Sequence, residues 1–243
     1  MATQATLREY RAAVLGGTGA VGGALVRELL ASPKCIGVTA FVRRRSPELE
    51  SLPDAQRKLD MRVVSMDNLR AETSAILANL PPHAAAFCTL GVGQPRKVSA
   101  EEHWRVDVEY ASAFAAACRD AGVESFSLLT SVGADAKSRS RYLYVKGAVE
   151  AAVVALHFPR ASFFRPSLIV TPSVRYGLQD WLTQAIFPRI SWLLPSRFHE
   201  VTVDELARAM RVNAERPSAK AVEILEYPDY VRLLSASNRR QPQ

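Results

Sequence analysis

The chain has 243 residues, 48% of them hydrophobic and 23% charged, a balance that suits one large α/β domain with a substantial core and disfavours extensive disorder. Its formal net charge is +7, yet the basic residues are scattered and not interleaved with aromatic side chains, so a solvated basic surface is expected rather than a nucleic-acid partner. No run reaches the roughly 18 consecutive apolar residues of a membrane span, and Cys35, Cys88 and Cys118, far apart and without a CxxC or Cys/His cluster, support neither a metal site nor a disulfide framework.

The N-terminal stretch lacks the apolar core of a secretory signal, so a cytoplasmic protein is expected; its hydroxyl residues and arginines leave an organellar leader as the second reading. Arg11 to Leu15 is a short apolar run that stops at glycines, and Leu25, Val26, Leu29 and Leu30 then recur with helical spacing before Pro33. Strand signals return at Val38 to Val42 and at Met61 to Val64. A helix follows over Leu69 to Leu80, with Asp67 or Asn68 as its cap and Pro81-Pro82 as its stop.

Ala84 to Thr89 is apolar without alternation, as in a parallel strand covered on both faces, and glycines follow directly. Ser99 and Glu102 form a capping box for a long helix to about Cys118, and Phe126 to Thr130 is the next buried strand. Tyr142 to Leu156 reads as a helix and Ser162 to Val170 as a strand. Thr202 and Glu205 then open a helix that runs to about Asn213. Repeated βα units predict an α/β fold with a doubly wound parallel sheet of the NAD(P)-binding Rossmann type, in one domain over residues 1–243. Residues 171–200 break the rhythm, and this insertion, with Trp181, Phe187 and Trp192, is expected to face a substrate or a protein partner; docking on a membrane surface is a weaker reading of the same aromatics.

Gly16, Gly19 and Gly22 stand between the first strand and the first helix. Bare backbone there can turn sharply and approach a pyrophosphate, whose charge then faces the free N–H groups of the helix N-terminus. An NAD site usually places Asp or Glu about 20 residues further on to accept the ribose hydroxyls. Here the second strand ends in Val42-Arg43-Arg44, and guanidinium forks pair with phosphate oxygens, so the expected cofactor is NADP(H); an exposed basic loop is the competing reading of the pair.

Tyr142 and Lys146, four apart on a helix, share one face. A tyrosine hydroxyl ordinarily ionises near pH ~10, and a neighbouring ammonium with a positive nicotinamide ring favours the phenolate. Ser131, just beyond the fifth strand, completes a catalytic set by hydrogen-bonding the substrate oxygen. The expected reaction is hydride transfer on a carbonyl, a hydroxyl or an activated alkene, with Tyr142 as general acid/base and Lys146 also orienting the ribose.

With these motifs, and with PheCysThrLeuGly at 87–91, ArgValAsp at 105–107, SerValGlyAlaAsp at 131–135, TyrLeuTyrValLys at 142–146 and PheArgProSer at 164–167, the chain resembles the Tat-interacting protein family of atypical short-chain dehydrogenases over nearly its whole length. The resemblance implies NADPH held by the backbone of Thr18, Gly19, Ala20 and Val21, by Arg43 and Arg44, and along Leu90 and Gly91, with Tyr142 and Lys146 as the catalytic pair. It further implies that the turn from Pro166 to Ile169 holds the carboxamide and that Arg175 reaches the phosphates. Val132 stands where the family often has Lys, and Asp107 where many extended relatives have Asn. The family also contains regulators, which keeps a non-catalytic NADP(H) sensor with a protein partner as the alternative function. It adds two alternative locations, the nucleus and the surface of the mitochondrial outer membrane.

Overall fold

The computed structural model describes residues 9–78, 83–171 and 195–239. Strands β1 (Tyr10–Leu15), β2 (Cys35–Val42), β3 (Leu59–Val63), β4 (Ala84–Cys88), β5 (Ser125–Leu129) and β6 (Arg160–Phe164) join β9 (Val222–Leu225) in one sheet of order β3-β2-β1-β4-β5-β6-β9. Each neighbouring pair is parallel. Strand order reverses between β1 and β4, so the chain leaves these two strands in opposite directions and opens a crevice at their C-terminal ends, where sheets of this kind bind ligands.

Parallel strands covered on both faces need apolar side chains on both, and β4 and β6 are buried along their full length. One face packs against α1 (Ala20–Ala31), α8 (Val203–Ala214) and α9 (Tyr227–Asn238), with Leu25, Leu29, Leu206, Met210 and Tyr230 in the core. The other face carries α4 (Leu69–Leu77), α6 (Ala111–Asp120) and α7 (Arg141–Ala155), with Leu69, Phe114, Phe126 and Val149 inside. Cys35, Cys88 and Cys118 are free thiols buried in these cores.

The structure corrects the sequence-based elements at several points. The strand expected over Ser162 to Val170 is two strands: β6 ends at Phe164, and β7 (Leu168–Val170) leaves the main sheet to pair with β8 (Glu200–Thr202). Pro166, between them, has no N–H to continue a ladder. The helix from Ser99 starts as expected, with the Ser99 hydroxyl accepting from Glu102 N at 3.0 Å, although Glu102 does not return the bond and the box is half formed. Between α5 (Ala100–Trp104) and α6, the turns of Arg105–Tyr110 are π-helical. At Thr202 and Glu205 both halves of the box are present. Asn68 caps α4 by position but makes no side-chain capping bond, and the Asp67 carboxylate accepts from Tyr110 instead. The short helices α2 (Pro47–Glu50) and α3 (Ala55–Lys58), together with β9 and α9, were not expected; α9 opens on Glu226 and Asp229 rather than on a typical capping residue.

The far edge of the sheet is held by a buried ionic knot. The Arg160 guanidinium donates to Glu223 Oε2 at 2.8 and 3.0 Å and to Asn213 Oδ1 at 3.0 Å, joining β6, β9 and α8. Arg216 and Ser218 donate to the other Glu223 oxygen at 2.7 and 2.9 Å. Burial pushes the Glu223 carboxyl up, and the Arg160 guanidinium outweighs this and holds it below the usual carboxylate range. A carboxyl depressed in this way stabilises the fold above its unfolded value of about 4.3, and the contribution disappears as pH falls through the folded value. Replacing Glu223 by Ala leaves a buried guanidinium unpaired and is expected to cost about 3–5 kcal/mol in chemical denaturation at neutral pH, with the gap to the parent chain narrowing in acid.

Candidate functional site

The turn between β1 and α1 is closed so tightly that only glycine fits at two of its positions. Gly16 adopts φ +88°, and a Cβ on it would lie 2.6 Å from Leu90 N. A Cβ on Gly22 would lie 2.1 Å from the Gly16 carbonyl oxygen. Gly19 is the N-cap of α1, contributes no side-chain cap, and no acidic residue stands in the first turn. The first helical acceptor bond is Gly23 N to Gly19 O at 2.8 Å, which leaves the amides of Ala20, Val21 and Gly22 ahead of the helical ladder. Thr18 and Gly19 are exposed while the Val21 side chain is buried, so the helix is pinned to the core with its N-terminal backbone turned outward. Free amides at the positive end of a helix dipole favour an anion.

Beside this turn, β2 ends at Val42 and the next three residues are arginines. Arg45 is tied to Glu50 through its Nε at 2.7 Å, and Arg27 of α1 to Asp204 at 2.8 Å. Arg43 and Arg44 are exposed and make no hydrogen bond or ion pair among the described residues. Both line a cleft of about 570 Å³ together with Gly17, Thr18, Gly19 and Ala20. The acid in this cleft, Glu48, accepts from the Ser46 hydroxyl at 2.7 Å; that bond, with Arg44 adding to it, holds its carboxyl below the usual range. Two exposed guanidiniums next to a backbone anion hole form a donor set suited to phosphate oxygens.

Across the crevice, the first turns of α7 carry Tyr142 and Lys146. The helix seats closely because the residue after the lysine is Gly147, whose Cβ would lie 2.1 Å from Ala136 N. Tyr142 is 37% exposed, and its ring stacks on His103 at 6.2 Å between centroids. Lys146 Nζ is buried 5.9 Å from the centre of the Tyr142 ring and donates to Asp107 Oδ2 at 2.7 Å. The other Asp107 oxygen accepts from Val92 N, also at 2.7 Å. Burial pushes the Lys146 ammonium down, but the Asp107 carboxylate outweighs it and keeps the group above its ordinary value. Lys146 is therefore already paired, and Gly91 lies against the pair: a Cβ there would be 3.3 Å from Nζ and 3.4 Å from Oδ2. Tyr144 points away and stacks on Trp104.

The remaining expected residues fall on both sides of this arrangement. Ser131 is buried at the end of β5, but its hydroxyl donates to the Val132 carbonyl at 3.3 Å and forms no hydrogen bond with Tyr142 or Lys146 among the described residues. Pro166 accepts from Val132 N at 3.0 Å, which fixes the Pro166 turn beside the Ser131 loop, while Ile169 is held opposite Val201 in the β7–β8 pair. Leu90 and Gly91 follow β4 directly and touch the glycine turn and the Lys146–Asp107 pair respectively. Arg175, Trp181, Phe187 and Trp192 lie outside the described residues. Sequence reasoning missed the partnership of Asp107 with Lys146 and the presence of His103. The four-residue spacing of His103 and Asp107 was a visible signal, whereas the π-helical turn between them was not.

A family model described as NAD(P)H-binding matches residues 16–161. Protein HTATIP2 of Rattus norvegicus is 33% identical over 215 residues, covering 88% of this chain and 84% of the rat protein. The mitochondrial protein fmp52 of Emericella nidulans is 33% identical over 158 residues, 65% of this chain and 66% of its own. Among solved structures, MoeE5 in complex with UDP-glucose and NAD has a similar fold, with a TM-score of 0.65 at 16% identity over 94% of this chain and 82% of its own. Sequence motifs, sheet order and glycine turn agree with these matches: the chain has the NAD(P)-binding Rossmann fold and belongs to the NAD(P)H-binding, Tat-interacting protein family of atypical short-chain dehydrogenases.

Proposed function

We propose that the chain is an NADPH-dependent oxidoreductase acting on a carbonyl, a hydroxyl or an activated alkene, with Tyr142 as the proton carrier. The observation that carries this reading is the half-open phenol of Tyr142 beside the buried ammonium of Lys146, on the crevice side of a glycine turn. In this reading the backbone of Thr18 to Val21 takes the diphosphate, and Arg43 and Arg44 take the 2′-phosphate. Leu90 and Gly91 line the path between them and the catalytic helix, and the Pro166 to Ile169 segment holds the carboxamide. Bound there, the nicotinamide supplies or accepts the hydride. Tyr142 gives its phenolic proton to the substrate oxygen or removes it, and Lys146 orients the neighbouring hydroxyls. Ser131 can turn its weakly held hydroxyl, 3.3 Å from the Val132 carbonyl, onto the substrate oxygen.

Replacing Tyr142 by Phe removes the proton carrier and keeps the ring on His103. Turnover is expected to fall by about 10²–10⁴ in an NADPH-consumption assay on a panel of carbonyl compounds, while NADPH affinity changes little. A variant that lost no turnover would rule out the assigned role. A chain that only senses NADP(H) would keep its partner-dependent activity in this variant.

Removing Arg43 or Arg44 separates the two cofactors. Each charged hydrogen-bonding group is worth about 1.5–3 kcal/mol, so Arg43→Ala and Arg44→Ala are each expected to weaken NADPH about tenfold or more while leaving NADH unchanged, as read by cofactor fluorescence. Equal losses for both cofactors would move the 2′-phosphate away from these side chains.

A further inference from the structure

We infer that Asp107 is a positioning residue that fixes Lys146 and offsets part of its charge toward Tyr142, so that the pH at which Tyr142 gives up its proton depends on the Asp107 carboxylate. The inference deepens the oxidoreductase reading, and only its kinetic consequence rests on that reading.

Geometry carries it. The Asp107 side chain is 1% exposed and that of Lys146 10%, so the pair sits in a weakly screened interior. An ammonium alone, 5.9 Å from the phenol ring centre, would pull strongly on the phenolic proton. With a carboxylate 2.7 Å from that ammonium, Tyr142 faces an ion pair, and the carboxylate offsets part of the ammonium's field. The nearby groups are two neutral ones and one solvent-exposed cation. His103 of α5, fully buried and 3.7 Å from Asp107 Oδ2, has its imidazole pushed down by burial and is neutral. The Cys88 thiol at the end of β4 is pushed up to about 12 by burial and is also neutral. Arg141, one residue before Tyr142, is exposed and donates to the Pro95 carbonyl at 2.8 Å.

Asp107 also couples two parts of the site. One oxygen holds Lys146 on α7 and the other holds the Val92 amide in the loop that begins with Leu90 and Gly91. The carboxylate reaches both from the π-helical segment Arg105–Tyr110, a local widening that recurs at functional sites. Asn at this position would keep an acceptor for Val92 N but has no charge to offset the ammonium.

The test is an ultraviolet difference titration of phenolate absorbance in the folded protein without added cofactor. The Tyr142 signal is isolated by subtracting Tyr142→Phe in each background. In Asp107→Asn the half-titration of that signal is expected at a pH lower by about one unit or more. A half-titration at the parent's pH or above overturns the inference. A double variant, Asp107→Leu with Lys146→Met, replaces the pair by apolar side chains of similar volume, an exchange proteins often tolerate. Its Tyr142 signal is expected within about one unit of the parent's, and a larger displacement also overturns the inference. Where a carbonyl substrate is turned over, the alkaline limb of the pH–rate profile moves to lower pH in Asp107→Asn. A role confined to folding would lower the rate at every pH and leave the limb in place. If no substrate is turned over, the oxidoreductase reading fails and the titration alone still decides the inference.

Discussion

The site depends on how closely two pieces of backbone approach one another. Gly22 leaves no room for a methyl group against the Gly16 carbonyl, and Gly16 itself abuts the loop after β4 with a left-handed backbone. That closeness sets the N-terminus of α1 directly over the crevice where strand order reverses, with its first amides ahead of the helical ladder and no acidic side chain in the helix's own first turn. Everything else in the site is arranged relative to this hole: the arginines at the end of β2 on one side, and the Tyr142 helix on the other.

Charge is distributed in two distinct ways around it. At the outer end, Arg43 and Arg44 make no ion pair among the described residues, while their neighbours Arg27 and Arg45 are engaged by Asp204 and Glu50. Free guanidiniums remain available to a ligand at little desolvation cost. At the inner end, the buried charges among the described residues are paired. Lys146 is matched by Asp107, and Glu150 accepts from both Arg165 and Thr130, which steadies the segment leading to Pro166. Buried ions of this kind persist only in pairs, and the pairing decides how much of each charge reaches the reacting groups.

Most of the fold was legible because its signals are local. Apolar runs without alternation marked β1, β4 and β5, glycines followed the first strand at once, and Thr202 with Glu205 announced α8 by a reciprocal cap. The misses share a different cause, since they depend on partners distant in the chain. The Arg165 amide still donates to Leu225 of β9 while its side chain turns to Glu150, and the ladder stops at Pro166, which has no N–H. Val222–Leu225 is only four residues long and becomes a strand through its ladder with β6 and the knot around Glu223. The same holds for the site. Tyr142 and Lys146 could be placed on one helix face from spacing alone, but the carboxylate that occupies the lysine comes from 39 residues earlier in the chain. The expected convergence of the Ser131 hydroxyl with that pair is not present in the resting arrangement, where it turns to its own neighbour's carbonyl.

The central claim is that an outward-facing backbone turn and two unpaired guanidiniums form one binding site for a phosphorylated dinucleotide. Calorimetric titration of the folded parent chain with NADPH and with NADH tests it most directly. The account predicts saturable heat with both cofactors and a clearly tighter association with NADPH. Absence of heat with either, or tighter binding of NADH, would contradict it.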